Sequence, residues 1–203
     1  MLDRLYFISS DTGAIRAALE AGCRLVQLRI KKQPEAEVLG QAIVAKKLCS
    51  AYDARLIIND YPQVARAVSA YGIHVGLQDM PVQEVRAIVG NDMIIGGTAN
   101  TFEHIVQRVE EGVDYIGLGP YRFTTTKEKL SPILGLEGYQ RILQQCRAAK
   151  FQTPIVAIGG ILPEDAPALF QAGVHTIAMS GAITNAIDKK VIIEQFKNQP
   201  SVP

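Results

Sequence analysis

Three sets of residues in this chain could do chemistry together. Gln27, Arg29 and Lys31 sit at alternate positions after an apolar run. Residues two apart share one face of an extended chain, so the three side chains can enter a single cavity. Asn59-Asp60 and Gln78-Asp79 also follow apolar runs. Two carboxylates with amide and hydroxyl neighbours, Asn59 and Thr98 among them, suit a hard divalent cation such as Mg²⁺. Three cations, Arg29, Lys31 and Lys127, suit phosphate or diphosphate oxygens. Gly159-Gly160 and Ser180-Gly181 can turn backbone N–H groups toward a further anion. Taken together these residues describe a mouth for two anions, a metal-bound diphosphate and a separate phosphate.

Each residue also has a plainer reading. Asp60 and Asp79 fit as helix N-caps ahead of Pro62 and Pro81. Arg29 and Lys31 fit as solvated charges at a strand exit, and Gly159-Gly160 as a tight turn. Thr98 fits as a loop hydroxyl bonded to backbone, and Gln78 and His74 as packing residues with local hydrogen bonds. Other chemistry is missing. No Cys/His spacing suggests zinc, and no Gly-x-Ser-x-Gly elbow is present. The three histidines fall within a strand (His74), within a helix (His104) and just before a strand (His175). A reaction that needs no strong general base fits better than acyl transfer.

The elements that must position these residues follow from the hydropathy pattern. Eight short apolar runs read as strands: 5–8, 25–28, 56–58, 72–75, 93–96, 115–118, 155–158 and 176–179. They are nearly continuous rather than alternating, as in strands covered on both faces. Helical patterns lie between them, at 38–49, 82–89, 102–111 and 163–172, and Gly22, Gly112 and Gly173 close helices before the next strand. A spacing of about 25 residues per unit matches a parallel βα repeat. The reading is a single α/β domain over residues 1–203, a closed (β/α)8 barrel, with an open doubly wound sheet as the alternative. The connection 119–135 is far longer than the ~2–6 residues of ordinary βα loops and reads as a binding loop or lid.

Composition narrows the partners. Twenty-one Lys and Arg against 20 Asp and Glu leave a formal charge of +1, so no bulk field points to nucleic acid or an anionic membrane. No apolar run approaches the ~18 residues of a membrane span. Cys23, Cys49 and Cys146 are odd in number and widely spaced, against a disulfide framework. A cytoplasmic protein acting on small molecules is expected. The sequence leaves a homo-oligomer open.

Several segments in order resemble the thiamine phosphate synthase family: Gln27-Leu28-Arg29-Ile30-Lys31, Ile58-Asn59-Asp60, the run from Gly72 to Asp79, Gly119-Pro120 with Thr124-Thr125-Thr126-Lys127, and Ala157-Ile158-Gly159-Gly160-Ile161. The resemblance implies a (β/α)8 barrel that joins hydroxymethylpyrimidine diphosphate to hydroxyethylthiazole phosphate, giving thiamine phosphate and diphosphate. It implies that Gln27, Arg29, Lys31 and Asn59 hold the pyrimidine diphosphate and that Asp60 and Asp79 are Mg²⁺ ligands. Lys127 matches a diphosphate-binding lysine, while Thr124, Thr126 and Gly160 match the thiazole phosphate site. Thr98 stands where the family usually has serine. Met179-Ser180-Gly181 departs from the usual last strand, so the resemblance leaves Ser180 and Gly181 as alternative phosphate contacts. Two rival readings remain. A thiazole tautomerase shares the barrel, but that branch tends to lose the aspartates and the threonine loop and to use a histidine near the place of Asn100. A catalytically silent barrel would only bind a thiamine precursor.

Overall fold

The computed structural model describes residues 2–123 and 132–197. Thr124, Thr126 and Lys127 therefore lie outside the described residues. Eight parallel strands close into a barrel in sequence order: β1 (Leu5–Ser9), β2 (Leu25–Leu28), β3 (Arg55–Asn59), β4 (Gly72–Val75), β5 (Ile94–Ala99), β6 (Tyr115–Leu118), β7 (Ile155–Ala157) and β8 (Thr176–Met179). The helices between them are α1 (Thr12–Glu20), α2 (Glu35–Ala51), α3 (Pro62–Ala67), α4 (Val82–Val89), α5 (Phe102–Glu110), α6 (Gly135–Ala148), α7 (Ala166–Ala172), α8 (Gly181–Thr184) and α9 (Lys189–Lys197). A 3₁₀ turn at Pro163–Asp165 precedes α7. The barrel closes where β1 pairs with β8, with Tyr6 opposite Ala178.

Strand parity divides the apolar side chains into two layers. Leu5, Phe7, Val26, Leu28, Leu56 and Ile58 face the helices in the main core. Tyr6, Ile8, Leu25, Ile57, Tyr115, Val156 and Ala178 fill the barrel interior. Both faces are buried, which is why the strands read as unbroken apolar runs. The same parity turns the last inward position of several strands polar: Gln27 on β2, Asn59 on β3, His74 on β4 and Thr98 on β5. All four line one cavity. Barrels carry chemistry at this end.

Several boundaries differ from the sequence reading, most at β5 and in the 163–172 pattern. The apolar run 93–96, with Gly96-Gly97-Thr98 as its end, becomes a strand over Ile94–Ala99 that places Thr98 inside it. Gly96 is not a turn residue here. A Cβ at this position would lie 2.0 Å from Tyr115 Cζ, so the missing side chain is the space the Tyr115 ring occupies. The pattern at 163–172 splits into the 3₁₀ turn and α7. By contrast α1 begins as its sequence suggests: the Asp11 carboxylate accepts from the N–H groups of Gly13 (2.8 Å) and Ala14 (3.2 Å).

Because the interior is close-packed around Tyr115, Gly96→Ala is expected to lower unfolding free energy by about 1–3 kcal/mol. Urea denaturation reads this as a lower midpoint, and an unchanged midpoint would show that the interior has room to spare.

Candidate active site

The mouth of the barrel holds two adjoining cavities. The larger, about 880 Å³, is lined by Gln27, Arg29, Lys31, Asn59, Asp60, Asp79 and Thr98, among others. The smaller, about 350 Å³, is lined by Gly159, Gly160, Ser180, Gly181, Phe123 and Met179, among others. Arg29 lines both, as do Ile8, Pro120, Ile158 and Ala178. Every described residue of the sequence-predicted site lines one of these two cavities.

Asp60 and Asp79 are not helix caps. The cap positions of α3 and α4 are Tyr61 and Pro81, neither with a side-chain cap bond. Instead the two carboxyl groups lie close enough for each to shift the other's acidity. Asp60 Oδ2 also lies 3.0 Å from Lys31 Nζ. Asp60 Oδ1 is buried with no hydrogen-bond donor. Asp60 takes a left-handed backbone conformation, φ +66°, which costs a non-glycine residue about 1 kcal/mol or more. Its N–H donates to the His74 carbonyl at 3.0 Å. Asp79 Oδ2 accepts from the Gly76 N–H at 2.7 Å.

Proximity pushes the two carboxyls apart in acidity. Burial, then the contact with Asp79, raises Asp60 above the usual carboxylate range, against the pull of Lys31. Burial opposes ionisation of Asp79 too, but hydrogen bonds from Asp60 and the Gly76 N–H, with the Lys31 charge, hold it below that range. Burial also lowers the pKa of Arg29, and the charges of Asp60 and Asp79 work against that.

The donor set fits a magnesium ion. Two carboxylates line one cavity, an oxygen of one of them, Asp60 Oδ1, being buried without a partner, and Mg²⁺ commonly takes one or two carboxylates and completes its shell with water and substrate phosphate. Among the described residues no group of three or more His, Cys, Asp or Glu forms a metal cage.

A family model described as thiamine monophosphate synthase matches residues 5–183. The chain belongs to that family. A thiamine-phosphate synthase of Bacteroides thetaiotaomicron is 50% identical over 185 residues, 91% of this chain and 88% of that protein. One from Flavobacterium johnsoniae is 49% identical over 205 residues, covering 98% and 97%. A solved structure of thiamine phosphate pyrophosphorylase from Pyrococcus furiosus superposes with a TM-score of 0.82 at 30% identity, covering 96% of this chain and 93% of that one. The thiamine phosphate synthases are transferases, and this chain is one.

Sequence reading missed several supports of the family's site. His74 was expected to make local bonds; its ring instead reaches the Tyr115 hydroxyl on β6 and Thr98 Oγ1 on β5, because an even position on β4 points inward. Arg108 on α5 is 3% exposed. Its guanidinium donates to the carbonyls of Thr98 (3.1 Å) and Gly76 (2.8 Å) and pairs with Glu111. That one side chain ties the Asp79 turn to β5. A charge three residues after Ile105, on the same buried helix face, was the available signal. Asn100 donates to the Gly119 carbonyl and so holds the start of the long connection, while His104 lies within α5 as expected.

Arg122 and Asp165 form the third support. Arg122 donates to the Gly160 carbonyl at 2.8 Å and bidentately to the Asp165 carboxylate at 2.8 and 2.9 Å. Asp165 also accepts from the Leu162 N–H at 2.8 Å. Gly159 and Gly160 both have positive φ, +100° and +68°, a conformation that glycine adopts freely. The clamp therefore fixes the Gly159-Gly160 turn against the stem of the long connection.

Burial tends to raise the Asp165 carboxyl, but Arg122 and the Leu162 N–H outweigh it and hold the pKa below the usual value. A depressed carboxylate stabilises the fold above the unfolded pKa of about 4 and loses that contribution as pH falls through its lower folded value. Asp165→Asn should therefore cost about 1 kcal/mol at pH 7, with the deficit shrinking as the pH drops below about 4. Thermal melts of both proteins across pH check this, and a pH-independent deficit would contradict it.

Proposed function

We propose that this chain is a thiamine-phosphate synthase in which the larger cavity takes hydroxymethylpyrimidine diphosphate and the smaller takes hydroxyethylthiazole phosphate. One observation carries this reading: Arg29 and the Ile8–Ala178 wall belong to both cavities, so two substrates bound side by side meet at that boundary. Gln27, Asn59 and Thr98 face the pyrimidine, while Arg29 and Lys31 face its diphosphate. Asn59 is 4% exposed and its Nδ2 has no hydrogen-bond acceptor, an amide donor kept for a ligand. Gly160, with Ser180 and Gly181 at the start of α8, faces the thiazole phosphate. Thr124, Thr126 and Lys127, outside the described residues, complete the anion contacts.

The reaction breaks the pyrimidine CH2–O bond, its electron pair leaving on diphosphate, and forms a bond from the thiazole nitrogen lone pair to the same carbon. That nitrogen carries no proton, so no general base is needed. Asp60 and Asp79 would hold Mg²⁺, which supplies charge neutralisation to the leaving diphosphate. Arg29, Lys31 and Lys127 act on the same oxygens, where charge develops as the bond breaks. Arg29 sits where the leaving group and the nucleophile are adjacent and so favours their alignment. The sequence reading of 119–135 as a lid falls largely on residues outside the described ones.

No helix among the described residues is long and apolar enough to cross a membrane. The substrates are small and charged, and a cytoplasmic site of action fits them.

Incubation with both substrates and Mg²⁺ should yield thiamine phosphate and diphosphate. Turnover of a thiazole alone, without a new C–N bond, would favour the tautomerase reading, and binding without product would favour the silent barrel.

Asp79→Asn keeps an acceptor for the Gly76 N–H and removes one of two neighbouring charges. It should lower kcat about 100-fold or more, with the melting temperature within about 3 °C of the parent. Near-parental turnover at limiting Mg²⁺ would remove Asp79 from the metal site.

A further inference from the structure

Gln27 and Thr98 are the two ends of one chain of hydrogen bonds across the barrel interior. Gln27 Nε2 donates to the Tyr6 hydroxyl at 2.6 Å. The Tyr6 and Tyr115 hydroxyl oxygens are 3.2 Å apart. The Tyr115 hydroxyl is 3.1 Å from His74 Nδ1, and His74 Nε2 is 3.0 Å from Thr98 Oγ1. Five strands contribute one side chain each, and all five side chains line the larger cavity. Glycines make the room: Gly96 for the Tyr115 ring, and Gly117, whose Cβ would stand 3.0 Å from His74 Cε1.

With His74 neutral and all four links made, a chain of this kind has two proton orders, one the reverse of the other. Burial holds both tyrosine hydroxyls protonated, with pKa values well above the usual one, so each has a single proton to give. The structure gives the first direction, Gln27 N–H donating to Tyr6; the order that follows from it runs from Tyr6 to Tyr115 and from Tyr115 to His74 Nδ1. His74 then carries its proton on Nε2 and donates to Thr98 Oγ1, which leaves the Thr98 O–H to donate into the cavity. At the other end the Gln27 carbonyl oxygen remains an acceptor. Turning the Gln27 amide over would reverse every step: Thr98 would donate to His74, and Gln27 would present only N–H groups. The two ends are thereby linked, one donor and one acceptor, and cannot be set independently.

We propose that His74, Tyr115 and Tyr6 are positioning residues that fix this polarity, so that the floor of the larger cavity offers a hydroxyl donor at Thr98 and an amide acceptor at Gln27. Such a floor matches a heteroaromatic edge with a ring nitrogen acceptor and an exocyclic amino donor, which a 4-aminopyrimidine provides. It disfavours the isosteric pyrimidinone, whose ring N–H and carbonyl reverse both roles. The ligand half of this proposal rests on reading the cavity as the pyrimidine diphosphate site; the proton order does not.

The proton order is read on the unmodified protein. Nitrogen-15 imidazole spectra at neutral pH should show His74 with Nε2 protonated and Nδ1 bare. The resonance is assigned as the one lost in His74→Gln or, should that variant fail to fold, by elimination with His104→Gln and His175→Gln. Protonation at Nδ1, alone or together with Nε2, overturns the proposal. The ligand half is read by steady-state kinetics of Tyr115→Phe and Tyr6→Phe, which keep the ring and remove the hydroxyl link. Each should raise KM for the pyrimidine diphosphate about 10-fold, the scale of one lost hydrogen bond, and leave KM for the thiazole phosphate unchanged. Equal changes in both KM values, or none, overturn that half. If the parent protein makes no thiamine phosphate at all, the functional reading fails while the spectra still decide the proton order.

Discussion

Two carboxyl groups held side by side on one cavity at the mouth of a barrel are the constraint around which the site is arranged. Asp60 and Asp79 repel when both are ionised, and burial makes the repulsion worse. A fold built for stability alone would separate them. This one does the reverse: it keeps Asp60 at φ +66° and anchors Asp79 on the Gly76 N–H. Arg108 then fastens the Gly76 carbonyl from behind. Lys31 lies within ion-pair distance of Asp60. The arrangement makes physical sense as a receptor for positive charge that arrives with an anionic substrate, a pairing that offsets repulsion the empty site must otherwise carry.

The rest of the mouth extends from that pair. Arg29 lies on the β2 exit, its N–H still bonded to the Ser9 carbonyl, and its side chain reaches the boundary of both cavities. On the far side the Arg122–Asp165 clamp fixes the glycine turn after β7. Below, buried polar side chains at the inward ends of β2 to β5 form a floor whose hydrogen bonds are satisfied across the barrel rather than locally. Polar groups so deep are tolerated because nearly every one has a partner. Among the described residues the exceptions are Asn59 Nδ2 and Asp60 Oδ1, both on residues that line the larger cavity.

Much of this was legible in the sequence, for a physical reason. Strands buried on both faces leave unbroken apolar runs, so β2, β4, β6 and β8 could be bounded to the residue. The residues that follow each run then fall at the barrel mouth, which brought Arg29, Asp60 and Asp79 into view. What stayed hidden depends on contacts between distant strands. Gly96 resembles a strand end until the Tyr115 ring is seen in its place. His74 resembles a packing residue until parity turns it toward Tyr115 and Thr98. Arg108 and Arg122 resemble solvated charges until their carbonyl partners, 32 and 38 residues away, are known.

Direct location of the ion is the decisive measurement. Crystals grown with Mn²⁺ in place of Mg²⁺ and with the pyrimidine diphosphate should show an anomalous scattering peak within coordination distance of carboxylate oxygens from both Asp60 and Asp79 and of the diphosphate. A peak held by other residues, or an ordered diphosphate gripped by Arg29 and Lys31 with no ion between the two aspartates, would contradict the account.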